Sequence, residues 1–341
     1  MAKIQELLAD KNDVINIKHI TERNPWIKEE RQKCILSPDS DGLLCGLFLS
    51  HYLNWEIVGF YDGKVALIKD GLSFYDEDVC FIDIEVYREG VKSMGHHMLS
   101  LYNNTLPNDW NKRFTQCIQP NLMRGYDKHN FRLKYPLATI HLLITILEKY
   151  IDIEVRDTAI FPLLFTDGTF NVMFKYPENV MNWWKYLNVQ NNSKLLHKVF
   201  MSDDFSVYKL MLQMDNFFRR RDKISIKGER GDRLKISNTD SSAYNLCEDK
   251  NNLFRINSDA VRRLEQFFEI LSKDTGWVYK KNKWNYKGLK KLQFTKSDFK
   301  SKKWNVNKTN WNQMLELNPV SWAMTSGDNI EFTLEHPDKL F

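Results

Sequence analysis

Leu36-Ser37-Pro38-Asp39-Ser40-Asp41-Gly42 is the stretch from which the rest of the chain is read. Before it, Cys34-Ile35-Leu36 has the look of a short buried strand. After it comes the apolar run from Leu43 to Leu53. The order is strand, turn, helix. It puts Asp39 and Asp41 at the carboxyl end of a strand, where open α/β sheets hold their ligands. Two aspartates one residue apart in a turn can ligate hard divalent cations. The same residues also suit a plain helix cap.

Working outward, Glu56 to Tyr61 reads as a second strand ending at Asp62-Gly63, and Val65 to Ile68 as a third. Val79 to Ile84 is a buried strand with Asp83 at its exit. Strands alternating with helices predict an α/β fold with a doubly wound, mostly parallel sheet. Parallel strands bring their exits to one edge, so Asp83 is expected beside the Asp39–Asp41 turn. Ser93-Met94-Gly95-His96-His97-Met98 follows in a turn, where one imidazole can ligate a metal and the next can serve a substrate. Tyr135-Pro136 opens a strongly apolar helix running to about Tyr150, with His141 read as a core histidine. A second helix, roughly 155–164, leads into Phe165-Thr166-Asp167-Gly168-Thr169-Phe170.

Four pieces therefore occur in order: Pro-Asp-x-Asp-Gly after a strand, an Asp ending a later strand, a His-His pair, and Thr-Asp-Gly-Thr-x-Phe. Over residues 33–190 this resembles the catalytic domain of the DHH phosphoesterase superfamily. That group includes single-strand exonucleases, short-oligonucleotide ribonucleases, cyclic dinucleotide phosphodiesterases and family II pyrophosphatases. Asp39 and Asp41 match its first motif, Asp83 its second, His96 and His97 its third, and Asp167 its fourth. Three departures stand out. The naming triplet Asp-His-His is Gly95-His96-His97 here, so the acid that would orient His96 is missing. A histidine often found four residues before the first Asp is Ile35. The spacing from Asp83 to His96 is short.

The resemblance implies that Asp39, Asp41, Asp83, His96 and Asp167 hold two divalent cations, manganese or magnesium, for two-metal phosphoryl hydrolysis. Asp41 and His97 are the expected catalytic residues, with His97 on the phosphate or leaving oxygen. Asp62, Lys64, Arg124 and Asp127 are expected at the borders of the site.

The 341 residues suggest two domains, and 43% hydrophobic content can fill a substantial core. The expected division is a helical arm at 1–32, the DHH-like domain at 33–190, a linker around Val189 to Lys194, and a basic α+β domain at 195–341. Within the last, helices are expected over 195–218 and 258–272 and a hairpin over 223–237. Residues 277–311 hold eleven lysines against one acid, Asp298, interleaved with aromatics. Lysines attract phosphates and aromatics can stack on unpaired bases, so Lys280, Lys281, Lys283, Trp284, Lys287, Lys290, Lys291, Lys302, Lys303 and Trp304 are candidate nucleic-acid contacts. The alternative is a β-rich unit whose aromatics are core and whose lysines are solvated.

Five scattered cysteines without zinc-ligand spacing, and no signal-peptide core, predict a reducing, cytoplasmic location. No apolar run is long enough to span a membrane. An oligomer is compatible with all of this. The reading is a metal-dependent phosphodiesterase or exonuclease acting on single-stranded nucleic acid or short oligonucleotides. The alternatives are a DHH-like nucleic-acid-binding protein that has lost catalysis, and a cyclic-dinucleotide or small-molecule phosphoesterase.

Overall fold

A computed structural model of the chain describes residues 13–154, 156–192, 194–202, 206–298, 306–326 and 329–335. After helix α1 (Ile17–Arg23), strand β1 (Lys33–Leu36) runs into helix α2 (Ser40–Tyr52) and back through β2 (Glu56–Tyr61). β3 (Val65–Lys69) pairs antiparallel with β2. The next strand, β4 (Val79–Ile82), inserts on the other side of β1, parallel to it. β1 is thus flanked by its successor on one side and by a later strand on the other. Chain direction through the sheet reverses there, and a crevice opens at the carboxyl ends of such a pair.

β5 (Lys92–Met94) and β6 (Cys117–Ile118) continue the parallel part. β7 (Leu246–Glu248), β8 (Phe254–Ile256) and β9 (Leu289–Gln293) add an antiparallel part beyond β3. The nine strands lie in the order β6-β5-β4-β1-β2-β3-β9-β8-β7. Three strands, β10 (Thr295–Asp298), β11 (Ser321–Ser326) and β12 (Asn329–Leu334), form a second, antiparallel sheet.

The fold is α/β, with a large mixed sheet rather than a doubly wound one. Side chains alternate across the strands. Cys34, Leu36, Ile57 and Phe60 face the helices, including α2, α3 (Thr139–Leu147), α4 (Ile160–Phe165), α5 (Thr169–Lys175), α6 (Val207–Asp222) and α7 (Ser258–Thr275). Ile35, Val58, Tyr61 and Phe81 face the other way, onto Phe74, Phe294 and Val320. That second face is covered by a loop and the small sheet. The cause lies in the connections. β2 and β3 form a hairpin, and β4 reaches its parallel partner β5 through residues 83–91 with no helix between.

The expected boundary near residue 190 does not separate two cores. Val189–Asn192 is helical, and one hydrophobic cluster runs from Ile15 to Leu289. α2 is the reason. It is buried from Asp41 to Ser50, so it needs cover on more sides than the sheet provides. Trp277 packs edge-on to Phe48 at 5.0 Å, and the ring of Trp284 lies against Gly46. The expected 223–237 hairpin is a loop with one internal bridge, Ile226 to Glu229, and a second from Ser237 to Ala243 beyond it. The expected 195–218 helix is two, Lys194–Met201 and α6. Among the described residues no helix is long and apolar enough to cross a membrane.

Gly42 is what allows α2 to start so close to β1. A Cβ there would stand 2.1 Å from the Ser37 carbonyl oxygen, a backbone atom that cannot swing aside. At Gly46 a Cβ would meet the end of Leu36 at 2.3 Å and Trp284 at 2.8 Å, both side chains. Gly42→Ala is therefore expected to destabilise at or above the upper end of the ~1–3 kcal/mol typical of overpacking, and Gly46→Ala within it. Urea unfolding of the two variants checks this; equal costs would mean that the turn can relax.

Candidate metal centre

The crevice beside β1 and β4 collects side chains from four separate segments. Asp83 follows β4 with φ of 60°, and Asp167 precedes α5 with φ of 49°. Both are in the left-handed region, which Asp tolerates better than most residues, and such backbone strain gathers at functional sites. His96 and His97 follow β5. One ligand atom from each of Asp83, His96, His97 and Asp167 lies within 4.8 Å of the other three. His96 Nε2 is 2.9 Å from Asp167 Oδ2, and His97 Nε2 is 3.7 Å from the same oxygen. His96 Nδ1 and His97 Nδ1 lie 3.8 and 4.0 Å from Asp83 Oδ1. Two ligand atoms at right angles on one cation, each about 2.1 Å from it, stand about 3 Å apart. The spacing suits a single ion.

Thr139 ties the group together. Its hydroxyl donates to Asp83 Oδ1 at 2.6 Å and lies 2.8 Å from His96 Nδ1. With its proton given to Asp83, the hydroxyl accepts from His96 Nδ1–H, so Nε2, 2.9 Å from Asp167 Oδ2, is the nitrogen that His96 turns to the cluster. The other carboxylate oxygen, Asp83 Oδ2, is buried with no hydrogen-bond partner. A buried orphan of this kind calls for a ligand. Burial, with the charges of Asp41, Asp39 and Asp167, holds the Asp83 carboxyl well above its usual range. Burial would also raise Asp167, but the His96 hydrogen bond and the charges of His96 and His97 bring it down to about 2. The donor set fits a divalent cation, which on binding would take the place of the protons that the histidine–carboxylate pairs share without it.

Asp39 and Asp41, expected as ligands, are engaged as helix caps. Asp39 Oδ1 accepts from the N–H groups of Asp41 (3.2 Å) and Gly42 (3.1 Å) at the start of α2. Asp41, fully buried, accepts from Thr139 N–H (2.6 Å) and Ile140 N–H (3.2 Å) at the start of α3. Burial and the Asp167 charge push its carboxyl up to about 6. His97 enters the cluster alongside His96, where only a substrate contact was expected of it. His141 is a core histidine, its Nδ1 accepting from Ala138 N–H, and burial lowers it to about 3.

Glu85 was not foreseen. It is buried, accepts from Met98 N–H at 2.9 Å, and stands 3.4 Å from His97 Nδ1. Burial opposes its charge, but the His97 hydrogen bond and charge prevail and lower it. A Cβ on Gly95 would lie 2.6 Å from Glu85 Oε2. The space where a side chain at position 95 would begin is filled by this carboxylate. The signal was present in the sequence as an acid two residues after Asp83.

Of the expected borders, Asp62 and Lys64 line the cleft beside the cluster and Arg124 does not. Asp62 caps its own turn and accepts from Ser237 Oγ at 2.6 Å, while Lys64 donates to the Asn238 carbonyl. Arg124 is buried away from the site, against Asp13 and Asn182. Asp39, Asp83, Glu85 and His97 open onto a cleft of about 530 Å³ whose far side is the loop from Gly228 to Thr239. Trp284 is buried in the main core and is not free to stack on a base. Lys281 pairs with Glu265 and Lys290 with Asp70. Lys280 donates to the His51 carbonyl and Lys291 lies over Phe254. Lys283 and Lys287 belong to the same stretch, and none of these six lysines lines the cleft. Lys302, Lys303 and Trp304 lie outside the described residues.

Comparison with protein-family models, with curated proteins and with solved structures yields no match.

If Glu85 orients His97 toward a cation, Glu85→Gln and Gly95→Ala should each weaken manganese binding by roughly 10- to 100-fold, the usual cost of losing a partner behind a ligand. Manganese titration followed by calorimetry measures this. Affinities unchanged in both variants would leave Glu85 as a packing residue only.

Proposed function

We propose that the chain is a divalent-cation-dependent phosphoester hydrolase of the DHH kind. The observation that carries this reading is the convergence of Asp83, His96, His97 and Asp167 around an unpartnered buried carboxylate oxygen. A cation bound there supplies Lewis acidity toward a phosphoryl oxygen and lowers the pKa of a coordinated water. The chain supplies the rest. Thr139 orients the His96 ring, and Glu85 holds the His97 ring. The N-termini of α2 and α3 point positive dipole ends toward the crevice, which favours an anionic substrate.

Two imidazoles with two carboxylates suit manganese and also zinc, better than they suit magnesium. A second ion is part of the proposal only if Asp39 or Asp41 leaves its cap. The substrate class is single-stranded nucleic acid or short oligonucleotides. The Glu85–Gly95 arrangement favours an enzyme over a lapsed one. The acid absent at position 95 has a counterpart that occupies its space, and a decaying site has no need of one.

Wild-type protein with manganese is expected to release nucleotides from 5′-labelled or 3′-labelled single strands. Asp83→Asn and Asp167→Asn should each lose more than the roughly 100-fold that losing a partner behind a ligand costs at most, because each alters a ligand itself. Circular dichroism checks that they fold. Absence of turnover by wild type on single strands, short oligonucleotides and cyclic dinucleotides, with manganese, magnesium and zinc each tried, would overturn the reading.

A further inference from the structure

The cluster borders two clefts. Beyond Asp39 and Asp167 lies a second one of about 610 Å³, and its walls are chemically unlike the first. Phe165, Phe170, Met214 and Phe218 line it, half-buried around its mouth, with Phe161 fully buried beneath. Phe165 and Phe218 meet edge-on, their ring centres 5.7 Å apart. Arg221 lies over Phe218 at 4.6 Å, which props that ring from behind. The first cleft is polar on the same loop, with Lys235, Ser237 and Asn238.

Asp39, Arg230 and Arg233 belong to both clefts and form the wall between them. The loop that carries the arginines is pinned to the catalytic turn, because Leu234 N–H donates to the Pro38 carbonyl at 2.8 Å. Gly231 N–H donates to Ser225 Oγ at 3.1 Å. Arg230 is engaged, its Nε donating to the buried Asp232 at 3.0 Å. Arg233 is exposed and lies near Asp39 and the metal cluster, yet its guanidinium makes no hydrogen bond or ion pair with any described residue. An exposed guanidinium on the wall of both clefts, with no partner among the described residues, is free to bind an anion that enters either one. Its planar fork matches phosphate oxygens.

We infer that Arg233 binds the phosphate of a nucleotide at the metal cluster, and that the Phe165–Phe170–Phe218 cleft seats the base of that nucleotide. The inference rests on the phosphoester reading above and adds to it where the base and the phosphate of the substrate are seated. A phosphate ester with a planar aromatic group satisfies both walls at once, since every nucleobase presents a face on which a phenylalanine can stack. The polar cleft then receives the sugar-phosphate continuation on the other side of Arg233. Selectivity follows: esters that carry a base bind better than esters that do not.

The test is calorimetric binding of adenosine 5′-monophosphate, ribose 5-phosphate and inorganic phosphate to the full chain with manganese. Wild type, Arg233→Ala, Phe218→Ala and Phe170→Ala are compared, with two phenylalanine variants so that one failure to fold does not end the experiment. Phe218→Ala and Phe170→Ala are expected to weaken the nucleotide about 5- to 100-fold and to leave ribose 5-phosphate unchanged. Arg233→Ala should weaken all three ligands. Equal wild-type affinity for nucleotide and ribose 5-phosphate, or phenylalanine variants that weaken both alike, would overturn the inference. Hydrolysis of bis(p-nitrophenyl) phosphate by wild type separates the two levels. Turnover of this ester without base discrimination refutes the base seat and leaves the hydrolase standing. Base discrimination with no turnover of any ester supports the seat and refutes the hydrolase.

Discussion

The carboxylate of Asp41 capping the first turn of α3 is the contact on which the rest of the crevice depends. Asp41 leaves the sheet edge in the first turn of α2, and its oxygens accept two backbone N–H groups of α3. Burying a carboxylate completely is costly, and its raised pKa records that cost. Two backbone donors and the positive end of a helix offset it. Once this contact is made, Thr139 has one place to go. Its hydroxyl then meets Asp83 from one neighbouring strand and His96 from the next. The cap therefore sets the spacing between two candidate ligands without touching a cation itself.

A similar economy operates around His97. Glu85 sits on the same short passage as Asp83, between β4 and β5. Because no crossover helix intervenes, Glu85 can fold back beneath the histidine pair, over the spot that Gly95 leaves open. The short Asp83-to-His96 spacing and the glycine before the histidines have a common physical origin. The compact loop brings the acid in from the other side, and a residue with a Cβ at position 95 would collide with it.

Much of this was legible in short motifs. Asp83, His96, His97 and Asp167 could be picked out because polar residues at strand exits and in glycine turns contradict the apolar pattern around them. The role of Asp41 could not be separated from ligation, since its partner is a helix 98 residues further along the chain. The lysine-rich stretch misled for a definite reason. Alternating lysine and aromatic residues describe a stacking platform, and they equally describe a strip with one wet face and one face covering a buried helix. α2 is apolar all round, and Trp277 and Trp284 are consumed in covering it. The doubly wound sheet failed on its connections, because β2 returns through a hairpin to β3 and β4 reaches β5 through residues 83–91 with no helix, so the second face lacks a helical layer at the centre of the sheet. Arg233 carries no motif at all; its meaning depends on where Leu234 is tethered.

The crevice concentrates negative charge and answers it only in part. Burial, with the repulsion of the neighbouring aspartates added to it, lifts Asp83 and Asp41. The two histidines balance Asp167 most directly, and against its burial they drive that acid down, as His97 does Glu85. A proton on Asp83 would relieve the repulsion but would leave Oδ2 with nothing to bond. A divalent cation relieves the repulsion and satisfies that atom together, and it turns a negative crevice into one that an anion can enter. On that surface the unpaired guanidinium of Arg233 and the dipole ends of α2 and α3 act in concert. Under the proposed function, the same carboxylates that repel a phosphate ester while bare would, with a cation among them, draw it in.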